Sequence, residues 1–256
     1  MITEPTSPPS GLASPSCCLS LPVPYHAEDS VTIYHGDCRQ IVPLLGRFDL
    51  LLTDPPYGIG DKWTKGVMAG KRGTSVLWGK GETWDDETPP DWLIEQCVRA
   101  AQKSIVWGGN YYAMPPARGW LSWDKVQEYS GGDFEMAWTN LDTAPRVFRM
   151  SRIDAYQNKA ETKKEHPTEK PLQLMAWCIG LAGDVQTILD PFAGSGTTGR
   201  AAKDLGKRAI LIEREERYCE IAARRLSQDV LNLFPDNSGM NDAQSQYPVG
   251  SAEHKA

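Results

Sequence analysis

The chain has 256 residues, 40% of them hydrophobic and 23% charged, a balance that fits one ordinary domain with a substantial core. No run approaches the roughly 18 apolar residues that a membrane span needs, and the N-terminus lacks the basic flank and apolar core of a secretory signal, so a cytoplasmic location and no membrane partner are expected. The net charge of −6 excludes a protein that coats nucleic acid by bulk attraction; contact with a polyanion has to use local patches.

In chain order, residues 1–24 are rich in Pro and Ser and predict a disordered tail. The first clear strand is Phe48 to Thr53, a nearly continuous apolar run of the kind required by a strand covered on both faces. Residues 59–89 carry Gly, Lys and Trp without a period and predict a long loop. Pro90 to Gln102 predicts a helix, with Leu93, Ile94, Cys97, Val98 and Ala101 on one side. Ser104 to Trp107 predicts a strand, and further short strands fit Trp120 to Trp123, Phe134 to Trp138 and Arg146 to Phe148. Residues 149–165 are polar and basic. Then come a helix over Pro171 to Ala182, a strand over Thr187 to Asp190, a helix over Thr197 to Leu205, a strand over Ala209 to Glu213 and a helix over Glu215 to Leu226. Residues 235–256 predict a second disordered tail. The alternation predicts an α/β sheet domain over about 25–234.

Six cysteines, at 17, 18, 38, 97, 178 and 219, show neither metal-ligand spacing nor the density of a disulfide scaffold, so free thiols and no metal are expected. Two stretches are locally basic. Arg146 to Gln173 holds seven Lys/Arg against four acids, and Arg47 to Lys80 holds six against three. By charge alone such stretches are more readily solvated loops than binding patches.

Two places concentrate chemistry. In Asp190-Pro191-Phe192-Ala193-Gly194-Ser195-Gly196-Thr197-Thr198, two glycines separated by one residue lie between a strand and a helix start, where the backbone can approach a ligand and free helix N–H groups face an anion. The three-glycine dinucleotide fingerprint is absent. An acid at 190 repels a pyrophosphate but suits an ammonium and a sulfonium, the two positive charges of S-adenosylmethionine. Glu213 ends the next strand 23 residues later, where a carboxylate can accept from both hydroxyls of a ribose.

The second place is Asp54-Pro55-Pro56-Tyr57, at the carboxyl end of the buried strand. Two prolines fix φ and remove two donors, so the chain presents carbonyls and an aimed carboxylate. Such acceptors bind the hydrogens of an aromatic amine and favour its pyramidal, nucleophilic form. Tyr57 offers a flat face for a base, which has to leave its helix to be reached.

These motifs together resemble the amino-methyltransferase family of DNA modification enzymes, in the circularly permuted group called beta. Asp54-Pro55-Pro56-Tyr57-Gly58 is similar to the family's catalytic motif and Asp190 to Gly196 to its cofactor loop. His166-Pro167-Thr168-Glu169-Lys170-Pro171 resembles the segment that lines the methionine end of the cofactor, and His35-Gly36-Asp37-Cys38 the element whose Asp bonds the cofactor adenine. The resemblance covers most of residues 31–226. It implies a Rossmann-like sheet of seven mostly parallel strands with helices on both faces. The implied reaction is methyl transfer from S-adenosylmethionine to adenine N6 of double-stranded DNA in a bacterial or phage setting, since the family usually has Asp at this position for adenine and Ser for cytosine amines; cytosine N4 is the near alternative. Asp54, Pro55, Pro56 and Tyr57 are the implied catalytic group. Asp37, Cys38, Asp54, His166, Thr168, Lys170, Asp190, Phe192 to Thr198 and Glu213 are the expected cofactor site. Lys62, Lys71, Arg72, Arg146, Arg149, Arg152 and Lys159 are the expected DNA contacts, with target recognition over about 145–165. Relatives in the group often form dimers, so a homodimer is expected. A DNA-binding module without turnover and a nicotinamide-dependent oxidoreductase are the readings from other classes.

Overall fold

A computed structural model describes residues 20–58, 88–126, 132–151, 154–155 and 169–228. Residues 1–19, 59–87 and 229–256, which hold most of the expected tails and of the expected DNA-contacting loop, lie outside the described residues, as does most of the expected recognition insert beyond Ser151.

Nine strands form one sheet. Parallel pairing joins β2 (Val31–His35) to β9 (Arg208–Glu213), β9 to β8 (Thr187–Asp190), β8 to β3 (Phe48–Thr53) and β3 to β4 (Ala101–Trp107). Beyond β4, β6 (Phe134–Thr139) runs antiparallel between β4 and β5 (Trp120–Asp124), and β7 (Arg146–Arg149) closes that edge parallel to β5. A two-residue strand, β1 (His26–Ala27), pairs antiparallel with β2 at the other edge. Seven strands were expected; the two beyond those read from the sequence are β1 and β2.

Period-2 alternation sends Leu50 and Leu52 to one face and Leu51 to the other. The first face packs on α3 (Leu172–Leu181), α4 (Thr197–Asp204) and α5 (Glu216–Leu226); α3 is apolar all round and accordingly buries six of its ten residues. The second face takes Ile41 from the short α1 (Cys38–Ile41) and Leu93, Ile94 and Cys97 from α2 (Asp91–Arg99). Four cysteines, Cys38, Cys97, Cys178 and Cys219, are free and buried. Among the described residues no group of side chains could hold a metal ion, and no helix is long and apolar enough to cross a membrane.

Two expectations shift. The helix expected to reach Gln102 ends at Arg99, because Ala101 already pairs with Phe48 and starts β4. Val31–His35, not singled out as a strand, is a full parallel strand in register with β9.

Connections from β8 lead through α4 to β9 on one side, and those from β3 through α2 to β4 on the other. The chain thus leaves the carboxyl ends of adjacent strands β8 and β3 in opposite directions. This opens the crevice in which open α/β sheets bind ligands.

Candidate active site

A cleft of about 260 Å³ lies at that switch point. It is lined from the β8 side by Asp190 to Ser195, Thr197 and Thr198, from the β9 end by Glu213, from the β2 end by Gly36 to Arg39, and from the β3 end by Asp54 and Pro56, with Glu169 and Lys170 across from them. The two separate motifs of the sequence therefore share one cavity.

On the β8 side, Asp190 is buried and accepts from the Thr53 hydroxyl at 2.7 Å and the Phe192 N–H at 3.1 Å. Burial pushes its carboxyl up to about 6 despite those bonds. Gly196 caps α4 in the left-handed conformation at φ 80°, and a Cβ there would stand 2.8 Å from the Ala222 Cβ, so the loop needs glycine to pack on α5. Glu213 accepts from the Gly194 N–H and the Glu215 N–H, both at 2.8 Å, one on each oxygen. A carboxylate offers about four lone-pair positions, so it keeps capacity for a diol. Arg225 braces the loop from behind, donating to Ser195 Oγ at 3.2 Å, Thr197 Oγ1 at 2.9 Å and Glu169 Oε1 at 2.6 Å. Asp37 caps α1 through the Arg39 N–H at 2.9 Å and also takes the Arg39 guanidinium, which holds its carboxyl below the usual range.

On the β3 side, Asp54 sits between a hydroxyl and an ammonium. Tyr57 donates its O–H to Oδ1, and Lys170 Nζ donates to Oδ2 at 2.6 Å and to the Tyr57 oxygen at 3.1 Å. Burial raises the Asp54 carboxyl, with Lys170 opposing. Lys170 also meets Glu135 at 3.0 Å, and Glu135 meets Lys125 at 2.8 Å. Burial alone lowers a lysine, but Asp54 and Glu135 outweigh it and hold Lys170 charged. Burial likewise works to raise Glu135, and the two lysines outweigh it to bring that carboxyl down to about 2. The Tyr112 hydroxyl reaches the carbonyls of Pro55 at 2.9 Å and Pro56 at 2.8 Å, fixing the turn.

Tyr57 does not present an open face. Its ring stacks on Tyr111 with centroids 4.9 Å apart and planes at 12°. Gly108, at φ 68°, lets the ring lie against the backbone, since a Cβ there would be 2.0 Å from the Tyr57 Cε1.

Of the residues expected at the site, Asp37, Cys38, Asp54, Pro56, Lys170, Asp190, Phe192 to Ser195, Thr197, Thr198 and Glu213 line the cleft. Pro55 and Tyr57 stand beside it through the contacts above, and Gly196 supports it from the helix start. Lys170, expected at the cofactor, lines the cleft and sets its ammonium against Asp54, Glu135 and Tyr57. Arg146 and Arg149 are exposed on the edge strand β7, where Arg149 meets Asp124 at 3.1 Å. His166, Thr168, Lys62, Lys71, Arg72, Arg152 and Lys159 lie outside the described residues. Sequence reasoning missed Lys125, Glu135, Tyr111, Tyr112 and Arg225. Lys125 follows β5 and Glu135 is the second residue of β6, and no spacing in the sequence pairs them.

Residues 116–224 match the family model described as DNA methylase. The chain is 31% identical over 169 residues to the type II methyltransferase M2.DpnII of Streptococcus pneumoniae, covering 65% of this chain and 57% of that protein. It is 27% identical to M2.LlaDCHI of Lactococcus lactis subsp. cremoris over 255 residues, covering 80% and 92%. Among solved structures, the PvuII DNA methyltransferase (cytosine-N4-specific) superposes with a TM-score of 0.53 at 15% identity, over 80% of this chain and 89% of that one. The M1.HpyAVI-SAM complex superposes with a TM-score of 0.50 at 21% identity, over 77% and 100%. At these identities the structural likeness speaks for the fold.

Proposed function

We propose that the chain, whose residues 116–224 match the DNA methylase family model, transfers a methyl group from S-adenosylmethionine to the N6 amine of an adenine extruded from double-stranded DNA. The observation that carries this reading is the shared cleft: an aimed carboxylate on one strand end and a glycine loop with a diol-binding acid on the next.

The residues present fit the cofactor. Glu213 has lone pairs left for the ribose, Asp190 offers negative charge to the ammonium, and the start of α4 offers N–H groups to the carboxylate. Bound there, the cofactor supplies an electrophilic methyl group on sulfur. Asp54 then accepts a hydrogen of the amine, holds the nitrogen lone pair toward the cleft, and is one acceptor for the proton released on transfer; water is the other. Tyr112 keeps the Pro55 carbonyl in place as a second acceptor. Extruding the base costs a few kcal/mol and stacking on an aromatic ring returns roughly 1 to 3. That return requires Tyr111 and Tyr57 to part or to offer the outer face of Tyr111, which is 47% exposed. Arg146 and Arg149 on β7 supply phosphate contacts in this reading. The enzyme works in the cytoplasm as a homodimer, and light scattering that finds a single-chain mass at working concentration overturns the dimer.

The test is incubation of the protein with labelled S-adenosylmethionine and unmethylated genomic DNA, followed by mass analysis of the nucleosides. N6-methyladenine is expected, lost in Asp54→Ala while cofactor binding persists. Detection of N4-methylcytosine in its place makes cytosine the substrate and overturns the adenine reading, and a normal rate in Asp54→Ala overturns the role of Asp54.

A further inference from the structure

The buried charges behind Asp54 are more than one acid needs. Lys170 donates to Asp54 at 2.6 Å and to the Tyr57 oxygen at 3.1 Å, and its ammonium forms an ion pair with Glu135 at 3.0 Å. Glu135 in turn holds Lys125 at 2.8 Å. Asp54, Lys170, Glu135 and Lys125 thus form an alternating chain with no net charge, and both lysines are about 5% exposed. A positively charged cofactor and an incoming amine impose two demands on it. The amine competes with Lys170 and Tyr57 for the Asp54 carboxylate, which holds one donor on each oxygen, and the sulfonium disfavours an unbalanced ammonium close by.

We propose that Glu135 is a positioning residue for the transfer: it acts through Lys170, providing the second carboxylate onto which that ammonium shifts when the base amine takes its place on Asp54. This rests on the methyl-transfer reading of the cleft. The fold supplies the geometry. Because β6 runs antiparallel to β4, with Trp107 opposite Ala137, its first residues project past the carboxyl end of β4, the edge at which Asp54 stands. Lys125 comes from just beyond β5, which pairs with β6 as Asp124 opposite Phe134. Glu135 touches neither the proposed cofactor seat nor the catalytic turn except through Lys170.

The charged groups facing Asp54 are Lys170 and Glu135, with Tyr57 on its other oxygen and Asp190 behind Thr53. Removing the Glu135 charge leaves Lys170 to Asp54 alone, which ties up the acceptor and makes the acid harder to protonate. Removing the Lys125 charge does the reverse. Single-turnover methylation of unmethylated genomic DNA at saturating S-adenosylmethionine, followed against pH, separates these effects. In Glu135→Gln the plateau rate falls about tenfold to a hundredfold, the scale of a misplaced reacting group, and the acid limb moves to lower pH. In Lys125→Met the limb moves to higher pH. Glu135→Asp keeps the charge and recovers part of the rate. Melting curves establish that each variant is folded. A wild type that methylates no DNA sinks the methyl-transfer reading itself. An active wild type whose Glu135→Gln variant keeps its rate, or loses rate with the limb unmoved, overturns the role of Glu135 alone.

Discussion

Gly108→Ala is the perturbation whose size follows most directly from the structure. The new Cβ would stand 2.0 Å from the Tyr57 Cε1, whereas ordinary contact begins at 3.4 Å, so the ring or the turn has to move by about 3.4 − 2.0 = 1.4 Å. Tyr57 donates to Asp54, and the displacement passes directly to the acid. A misplacement of roughly 1 Å in a reacting group costs about a hundredfold in rate, and that is the loss expected in methyl transfer. The backbone adds a separate cost: a non-glycine residue in the left-handed region loses roughly 1 to 2 kcal/mol, or about 2 to 8 °C of melting temperature in a domain of this size. Gly206 provides the control. It has nearly the same φ, 65° against 68°, but nothing within 4 Å of its would-be Cβ. Gly206→Ala is therefore expected to lower the melting temperature similarly and leave the rate alone. Methylation kinetics and thermal melts on both variants make the comparison. A Gly108→Ala enzyme within a few-fold of wild type, or a Gly206→Ala enzyme equally slow, would refute the argument that Gly108 is there for Tyr57.

Three other outcomes follow from the site. Lys170→Met removes the ammonium between two carboxylates and is expected to destabilise the fold by about 3 to 5 kcal/mol at neutral pH. Burial then holds the Asp54 carboxyl further above its unfolded value, so this variant gains stability as pH falls and the acid takes up a proton, which urea melts at two pH values will read. Asp190, with its carboxyl raised to about 6 in the folded chain against 3.8 for the free residue, carries a burial penalty above pH 6 that is relieved between 6 and 4. A bound cation favours the charged form, so calorimetry should find S-adenosylmethionine affinity falling as pH drops below 6, with a proton released on binding near that pH. Gly196→Ala places a Cβ 2.8 Å from the Ala222 Cβ, and the displaced loop should show a raised Kd for the cofactor in equilibrium titration.

Much of the fold was legible because parallel strands buried on both faces carry continuous apolar runs. Phe48–Thr53 and Thr187–Asp190 were predicted with the bounds they have. Val31–His35 was not, because Thr32 and His35 interrupt its apolar pattern at an outer position of the sheet, where burial is incomplete. Asp37, Asp54 and Asp190 could be read because each stands at a strand end next to glycine or proline, and Glu213 because it ends the strand that follows the glycine loop. The Lys125 to Glu135 pair could not, because it exists only after β6 inserts backwards between β4 and β5. The open face assigned to Tyr57 was likewise a property of the residue taken alone; the turn at Gly108 brings Tyr111 over it.

The pairing of β3 with β8, Leu50 beside Ile188 and Leu51 beside Leu189, carries a consequence for how such an enzyme can change. The proposed seats of donor and acceptor stand on neighbouring strands, and their ends are tied by the Thr53 to Asp190 bond of 2.7 Å. The gap the methyl group crosses is then scaled by the inter-strand spacing of about 4.8 Å, a property of the peptide ladder rather than of any side chain. On the proposed reading, exchange of the loops beyond these strand ends leaves that gap unchanged.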